Sequence, residues 1–161
     1  MNLLAKLWRL LKLPKNIQLK IMRVVQDEFL VGTTGIILNN KDEVLLFKHT
    51  YRGKGKWSLP GGYMKQTEHP SEGLEREIEE ESGLIVSVDE ELKIRTDRDT
   101  ARLDIACIGT YIGGEFRKSS EVSEARFFSF EDLPIVPQNQ LFMIKEALQV
   151  KNGGVSVGDL S

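Results

Sequence analysis

Runs of apolar and β-branched residues along the chain predict a sheet, with helices before, between and after its strands. FLVGTTGIILN predicts a first strand, VLLFKH predicts a second, and the polar residues NNKDE predict the turn of a hairpin between them. Similar runs predict four later strands, at 84–88, 92–96, 103–112 and 125–130. The segments TYRGKGKWS and LPGGY predict loops, and paired glycines let the backbone of the second approach another group closely.

Helical patterns separate and flank these strands. Helices are predicted near 15–26, at 70–82 and at 138–150. The middle helix has the clearest ends, because Pro70 suits a first helical position after the weak cap His69 and Gly83 stands just past the last turn. In a chain of 161 residues this alternation predicts one α/β (α+β) domain, with helices packed on the faces of a sheet.

The charge distribution divides the chain near residue 26. The net charge is −2, but residues 1–26 carry six Lys and Arg and no acid, which leaves 16 Lys and Arg against 24 Asp and Glu, or −8, for the rest. Leucines and Trp8 lie between these basic residues and predict a basic amphipathic helix that Pro14 ends. We therefore expect an N-terminal helical arm at 1–26, a main domain at 27–150 and a flexible tail at 151–161.

Three roles remain open for the arm. Its apolar stripe can pack on its own domain or on the partner in a homodimer, residues 1–25 can lie on an anionic membrane surface, or the segment can be a transit peptide. Basic residues interrupt every apolar run, which excludes a secretory signal, and the segment is too short and too charged to span a membrane. The single Cys107 is expected in a buried strand, excludes an internal disulfide and favours a cytoplasmic protein.

The helix at 70–82 concentrates like charge, since five of the seven residues in EREIEEE are glutamates that repel one another on adjacent turns. Glu77, Glu80 and Glu81 stand at i, i+3 and i+4, so their carboxylates project from one face, while Leu74 and Ile78 anchor the opposite face. Carboxylate oxygens are the ligands that a hard divalent cation prefers. The helix therefore either exposes a solvated acidic face or holds a cation.

Residues 62–84 resemble the Nudix box, the motif of the Nudix hydrolases. That pattern is Gly, five residues, Glu, seven residues, and then Arg-Glu-aliphatic-any-Glu-Glu-any-Gly-aliphatic. The chain matches it at every fixed position: Gly62, Glu68, Arg76, Glu77, Ile78, Glu80, Glu81, Gly83 and Leu84. The predicted strand order also suits the family's αβα sandwich with a mixed β-sheet, to which the N-terminal arm is an addition.

The resemblance implies a divalent-metal site on this helix. The ion is Mg²⁺ or Mn²⁺, and its ligands map to one backbone carbonyl and three carboxylates: Gly61, Glu77, Glu80 and Glu81. Arg76 is implied to orient the neighbouring glutamates at the catalytic site. Glu68 is implied to brace the preceding loop, and the glycines of the box, Gly62 and Gly83, are structural.

The implied activity is metal-dependent hydrolysis of a pyrophosphate linkage, in a nucleoside diphosphate joined to another moiety, by water attacking phosphorus. A carboxylate takes the proton of that water; the candidates are Glu80 and, from a loop outside the box, Glu121 in preference to Glu124. Removal of pyrophosphate from RNA 5′ ends is compatible with this chemistry, because only the terminal phosphates are needed. The alternative is a catalytically silent Nudix-fold nucleotide-binding or regulatory module, which predicts an eroded glutamate set that this chain does not show.

Residues outside the box must select the substrate. Tyr51 or Trp57 can stack on a base and Arg52 can meet a phosphate, although a solvated loop with a core tryptophan explains the same residues. The charged stretch 95–102 is interpreted as a self-paired turn rather than a site.

Overall fold

The computed structural model describes residues 14–26, 28–50, 56–97, 99–151 and 153. Its helices are α1 (Lys15–Val25), α2 (Pro70–Ser82) and α3 (Gln138–Lys151). Its strands are β1 (Leu30–Leu38), β2 (Val44–His49), β3 (Trp57–Ser58), β4 (Gly61–Tyr63), β5 (Leu84–Asp97), β6 (Arg102–Gly114) and β7 (Val122–Phe128). The helix predicted before Pro14, the predicted contacts of Tyr51 and Arg52 and the tail beyond 153 lie outside the described residues.

The strands form one mixed sheet of seven strands with β1 near its centre. Strand β6 runs parallel to β1 along its whole length, from the pair Leu30 and Arg102 to the pair Leu38 and Thr110. The other edge of β1 is divided, because β2 pairs with its end at Leu38 while β4 pairs with Gly32 to Thr34. The remaining pairs, β2 with β3 and β7 and β5 with β6, are antiparallel. The neighbour of β1 on this edge therefore changes from β2 to β4.

Helices cover both faces of the sheet. Alternate residues of β1 point to opposite faces, so Ile37 lies in one buried cluster with Leu74 and Ile78 of α2. Its neighbour Ile36 lies in a second buried cluster with Ile144 of α3. These two cores confirm the αβα sandwich with a mixed sheet, and Cys107 is buried in the first of them.

Local chemistry fixes both ends of α2, whose predicted bounds are confirmed. The helix begins at Pro70, and the backbone N–H of His69 donates to Glu72 Oε2 at 2.9 Å. It ends at Gly83, which adopts the left-handed conformation with φ 74° and donates its N–H to the carbonyl of Glu79. This conformation favours glycine, because it brings a Cβ too close to the carbonyl oxygen that follows, and a Cβ added here would also fall 2.8 Å from the carbonyl oxygen of Glu115. Because α2 carries the glutamates, the residues that fix its two ends also fix the position of the glutamates relative to the sheet.

Some secondary-structure predictions differ from the structure. The segment TYRGKGKWS was expected to be a loop, but its last two residues form β3 by pairing with β2, and the strand expected at 125–130 is Val122–Phe128. The LPGGY segment was expected to be a loop, but Gly61–Tyr63 forms β4, because pairing with β1 supplies hydrogen bonds that override the low strand propensity of glycine. The runs 84–88 and 92–96 were expected to be separate strands, but they form the single strand β5. Bulges against β6 interrupt its alternation, and the N–H of Val88 beside one of them donates to Glu75 Oε1 at 2.8 Å.

Helix α1 confirms the helix predicted near 15–26, and it buries none of its residues. Val24 and Val25 on its apolar side are largely exposed. Across the part of the chain that the structure describes, no helix is long and apolar enough to cross a membrane.

Candidate active site

Close approach of β4 to β1 places the first glutamate of the helix. Gly62 lies opposite Thr33 in the ladder, and the carboxylate of Glu77 lies directly over it. A Cβ added at Gly62 would fall 2.4 Å from Glu77 Cδ, and one added at Gly61 would fall 2.2 Å from the carbonyl oxygen of Thr33. Strand pairing therefore requires glycine at 61, whereas a larger residue at 62 would displace the Glu77 side chain.

Arg76 joins three of the box glutamates. Its Nε donates to Glu68 Oε1 at 2.6 Å, and its Nη2 donates to Glu68 Oε2 at 3.0 Å. Its Nη1 donates to Glu77 Oε1 at 2.8 Å and to Glu80 Oε2 at 3.1 Å. Nη2 also reaches the carbonyl oxygen of Tyr63 at 3.2 Å. One guanidinium therefore offsets the repulsion between glutamates and ties α2 to β4.

Glu68 braces the segment between β4 and α2 through this arginine. Its Oε2 also accepts the N–H of Lys65 at 2.8 Å, which closes the turn ahead of the helix. The hydrogen bond from Arg76, followed by that from Lys65, lowers the pKa of Glu68 to about 2. Glu68 therefore stays charged in the folded protein at pH values where an unfolded glutamate takes up a proton.

Glu68→Gln is expected to reduce the free energy of unfolding near neutral pH, by an amount that shrinks in acid. The folded-state pKa is about 2 against an ordinary 4.5, so the stabilisation is present above the unfolded value and is lost as the pH falls through the folded one. Urea denaturation at about pH 7, pH 5 and pH 3 measures it. Glu79→Gln, which changes an exposed glutamate of the same helix, is the control. A deficit of equal size at all three pH values would contradict the expectation.

A cavity of about 880 Å³ lies beside β1 where β2 gives way to β4. Strands, α2 and the start of α3 all contribute to its walls. Three glutamates line it and are called the acidic wall: Glu77, Glu81 and Glu121. Four charged residues of β5 and β6 are called the mixed-charge wall: Arg95, Asp97, Arg102 and Asp104. The other lining residues are those of β4, namely Gly61, Gly62 and Tyr63, and eight uncharged residues, namely Thr33, Thr34, Leu59, Thr96, Ala106, Asn139, Gln140 and Met143. Gln140 is itself fixed, because its Oε1 accepts the N–H of Leu59 at 2.9 Å.

The cavity brings together some of the predicted acids and not others. Glu77, Glu81 and Glu121 line it. Glu80 points toward solvent, where Lys65 Nζ lies 3.3 Å from its Oε1. Glu124 does not line it and instead pairs with Lys48 at 2.7 Å. Burial tends to raise the pKa of Glu80, but hydrogen bonds from Lys65 and Arg76 outweigh burial and lower it.

The donor set at the acidic wall suits a hard divalent cation in kind. Glu77 and Glu81 offer carboxylate oxygens, and Gly61, whose backbone carbonyl is the fourth ligand implied by the resemblance, lines the same cavity. Within the described ranges, no three Asp, Glu, His or Cys side chains are grouped closely enough to hold an ion together. An ion at this wall would therefore need ligands besides Glu77 and Glu81, and for Mg²⁺ these are usually water and substrate phosphates.

The mixed-charge wall is a part of the site that the sequence interpretation missed. The antiparallel register of β5 and β6 sets Arg95 opposite Asp104 and Asp97 opposite Arg102. Arg102 donates from Nε to Asp104 Oδ1 at 2.8 Å, and its guanidinium lies 5.2 Å from the centre of the Tyr63 ring. Arg102 therefore pairs with Asp104, outside the stretch 95–102, and Arg95, Asp97 and Arg102 line the cavity, so the described residues do not show the self-paired turn that was expected instead of a site. The alternation of Arg102 and Asp104 along one strand face was the available signal.

Trp57 lies elsewhere. Its ring packs edge-on against Phe128 with centroids 5.0 Å apart, and Lys48 and Arg126 lie within about 6 Å of its ring centre. It does not line the cavity. This placement matches the core-tryptophan alternative and gives no support to a stacking role.

The chain is similar to known proteins in both sequence and structure. A family model for the NUDIX domain matches residues 29–147. Over 127 residues the chain is 34% identical to an ADP-ribose pyrophosphatase of Methanocaldococcus jannaschii, covering 76% of this chain and 75% of that protein. A solved ADP-ribose pyrophosphatase of Streptococcus suis has a TM-score of 0.64 at 28% identity, over 76% of this chain and 93% of that one. A solved UDP-X diphosphatase has a TM-score of 0.69 at 21% identity, over 88% of this chain and 72% of that one. A similarity at this level of identity shows the fold alone.

Proposed function

The chain belongs to the Nudix hydrolase family and is a pyrophosphohydrolase, and from that premise we propose that it hydrolyses a nucleoside diphosphate joined to a second moiety in a reaction dependent on Mg²⁺ or Mn²⁺. The observation that carries the proposal is the shared cavity. Glu77 and Glu81 of α2 lie on one wall with Glu121, and uncharged and charge-paired groups line the rest. A pyrophosphate held by a cation at the acidic wall leaves room in the same cavity for its attached group.

Glu77, Glu81 and the carbonyl of Gly61 are the groups that would hold the ion. When bound, a divalent cation stabilises the charge that develops on the phosphate oxygens and lowers the pKa of a bound water. Arg76 keeps Glu77 in position through its bond to Oε1. Glu80 would coordinate the ion only after breaking its bonds to Arg76 and Lys65. We therefore give it a supporting role.

Glu121 is our choice for the general base. Its backbone carbonyl accepts the N–H of Thr50 at 2.9 Å, and its own N–H is bonded to the hydroxyl of Ser119, so the backbone is fixed. Its side chain is exposed at the cavity. Glu80 is less suited because two cationic partners lower its pKa and so weaken it as a base.

ADP-ribose is the first substrate to test. The Methanocaldococcus jannaschii relative is described as an ADP-ribose pyrophosphatase, and the two chains align over about three quarters of each. ADP-ribose is also a nucleoside diphosphate joined to a sugar, which fits the substrate class proposed here. A cavity of about 880 Å³ falls within the range of about 300–1,000 Å³ for small-molecule sites.

A product-release assay on the full chain tests the proposal. The panel holds ADP-ribose, other nucleotide sugars, nucleoside triphosphates, dinucleoside polyphosphates and 5′-triphosphorylated RNA, each with Mg²⁺, with Mn²⁺ and with chelator. We expect chelator-sensitive release of AMP from ADP-ribose. Turnover that survives chelation would refute the metal dependence. Nucleotide binding without turnover of any substrate would instead favour the catalytically silent module.

A further inference from the structure

We infer that the mixed-charge end of the cavity, formed by Tyr63, Arg95, Asp97, Arg102 and Asp104, is a nucleoside subsite that binds the base and ribose of the substrate, with Tyr63 as its stacking surface. The inference deepens the proposed function and rests on it, because it assigns the two ends of one cavity to two parts of one substrate. The five residues of this subsite lie on β4, β5 and β6, outside the glutamate-rich helix.

The charge balance separates the two ends. The acidic wall carries three carboxylates, at Glu77, Glu81 and Glu121. The other end carries two guanidiniums and two carboxylates, so its formal charges sum to zero: Arg95, Arg102, Asp97 and Asp104. A neutral end offers a phosphate no net attraction. It suits an uncharged group with many hydrogen-bonding atoms, and the base and ribose of a nucleoside are such a group.

Arg102 lies over the ring of Tyr63. The guanidinium lies 5.2 Å from the Tyr63 ring centre, and its Nε and Nη2 both donate to Asp104 Oδ1, the former at 2.8 Å. Because Asp104 already neutralises and fixes the guanidinium, Arg102 is poorly placed to bind phosphate. The Tyr63 side chain is about half exposed and faces the cavity, so it keeps surface for a planar ligand. Aromatic rings stack on any of the nucleobases, because every base has a π-face.

Asp104 also has an acceptor left for the ligand. Both bonds from Arg102 go to Oδ1, and among the residues that the structure describes no donor reaches Oδ2. Ribose hydroxyls and exocyclic amines are donors that this oxygen can accept. Ala106 and Met143 are buried beneath the same space and offer apolar contact to a base.

Tyr63 also joins the subsite to the catalytic end. Its carbonyl oxygen accepts Arg76 Nη2 at 3.2 Å, and Arg76 in turn holds Glu77. Gly62, which lies against Glu77, and Tyr63, which carries the stacking ring, are therefore adjacent residues of one short strand. Strand β4 thus connects the base-binding surface to the acidic wall.

Calorimetry on the full chain without metal tests the subsite apart from catalysis. The probes are AMP and ribose 5-phosphate, which share a phosphorylated ribose and differ in the base. We expect AMP to bind and ribose 5-phosphate to bind much more weakly. Tyr63→Ala should weaken AMP binding about five- to a hundredfold, Tyr63→Phe should keep most of it, and Asp104→Asn should weaken it several-fold.

Phe142→Ala is the matched control, because Phe142 is an exposed ring with Lys93 Nζ at the same 5.2 Å from its centre but does not line this cavity. Equal affinity for the two probes, or AMP binding that Tyr63→Ala leaves unchanged in a folded variant, would overturn the inference. Hydrolysis of ADP-ribose with an unchanged KM in Tyr63→Ala would do the same while leaving the proposed function standing. Tyr63-dependent AMP binding without hydrolysis of any substrate would support the subsite and refute the function.

Discussion

Glu77→Gln is expected to reduce kcat/KM by about a thousandfold, because a metal ion contributes several kcal/mol of charge stabilisation at the phosphate. Glutamine keeps the length of the side chain and one oxygen that can accept from Arg76 Nη1, the bond that holds Glu77 at 2.8 Å. It removes the negative charge that a divalent cation requires. The fold should survive, since Leu74 and Ile78 anchor α2 in the core and both stay buried.

Three measurements on the variant separate chemistry from stability: initial rates, Mn²⁺ affinity and the thermal midpoint. Rates and Mn²⁺ affinity should fall together while the midpoint moves by only a few degrees. Glu79→Gln removes the same charge from an exposed position two residues along the helix and should leave the rate within about twofold of wild type. Normal rates in Glu77→Gln would show that Glu77 is not a metal ligand, which would contradict the central assignment of the proposed function.

The helix was more predictable from sequence than the site that it carries. Pro70 and Gly83 act locally, so the ends of α2 could be recognised from sequence. Residues at i, i+3 and i+4 share a broad face, but each step turns by about 100°, so Glu80 and Glu81 diverge. Arg76 and Lys65 then hold Glu80 on the outer side, and Lys65 comes from a loop whose position no spacing rule gives.

The far end of the cavity could not be predicted in the same way. It depends on β6 pairing in parallel with β1, with Gly32 opposite Asp104 across about seventy residues of chain. It also depends on β4, whose glycines argue against a strand when considered alone. Strand runs were predictable because side-chain alternation is local, whereas long-range register and the divided edge of β1 arise only when the core assembles.

Gly62→Ala is expected to reduce kcat/KM by about a hundredfold with a small loss of stability. The new Cβ would fall 2.4 Å from Cδ and 2.5 Å from Cγ of Glu77, so that side chain must leave the cavity wall. Rotating one side chain costs about 1 kcal/mol, whereas losing a metal ligand costs several. Gly113→Ala is the matched control, because its Cβ would meet no atom within 4 Å.

A double variant shows whether the lost activity comes from Glu77 itself. Glu77→Gln in the Gly62→Ala background removes the charge of the carboxylate that the new methyl group is expected to displace. If displacement of Glu77 causes the loss, the two substitutions will be non-additive, and the double variant will lose little activity or Mn²⁺ affinity beyond Gly62→Ala alone. Strict additivity of the two losses would mean that Gly62 acts through the backbone of β4, whose pairing with Thr33 the alanine would then have disturbed.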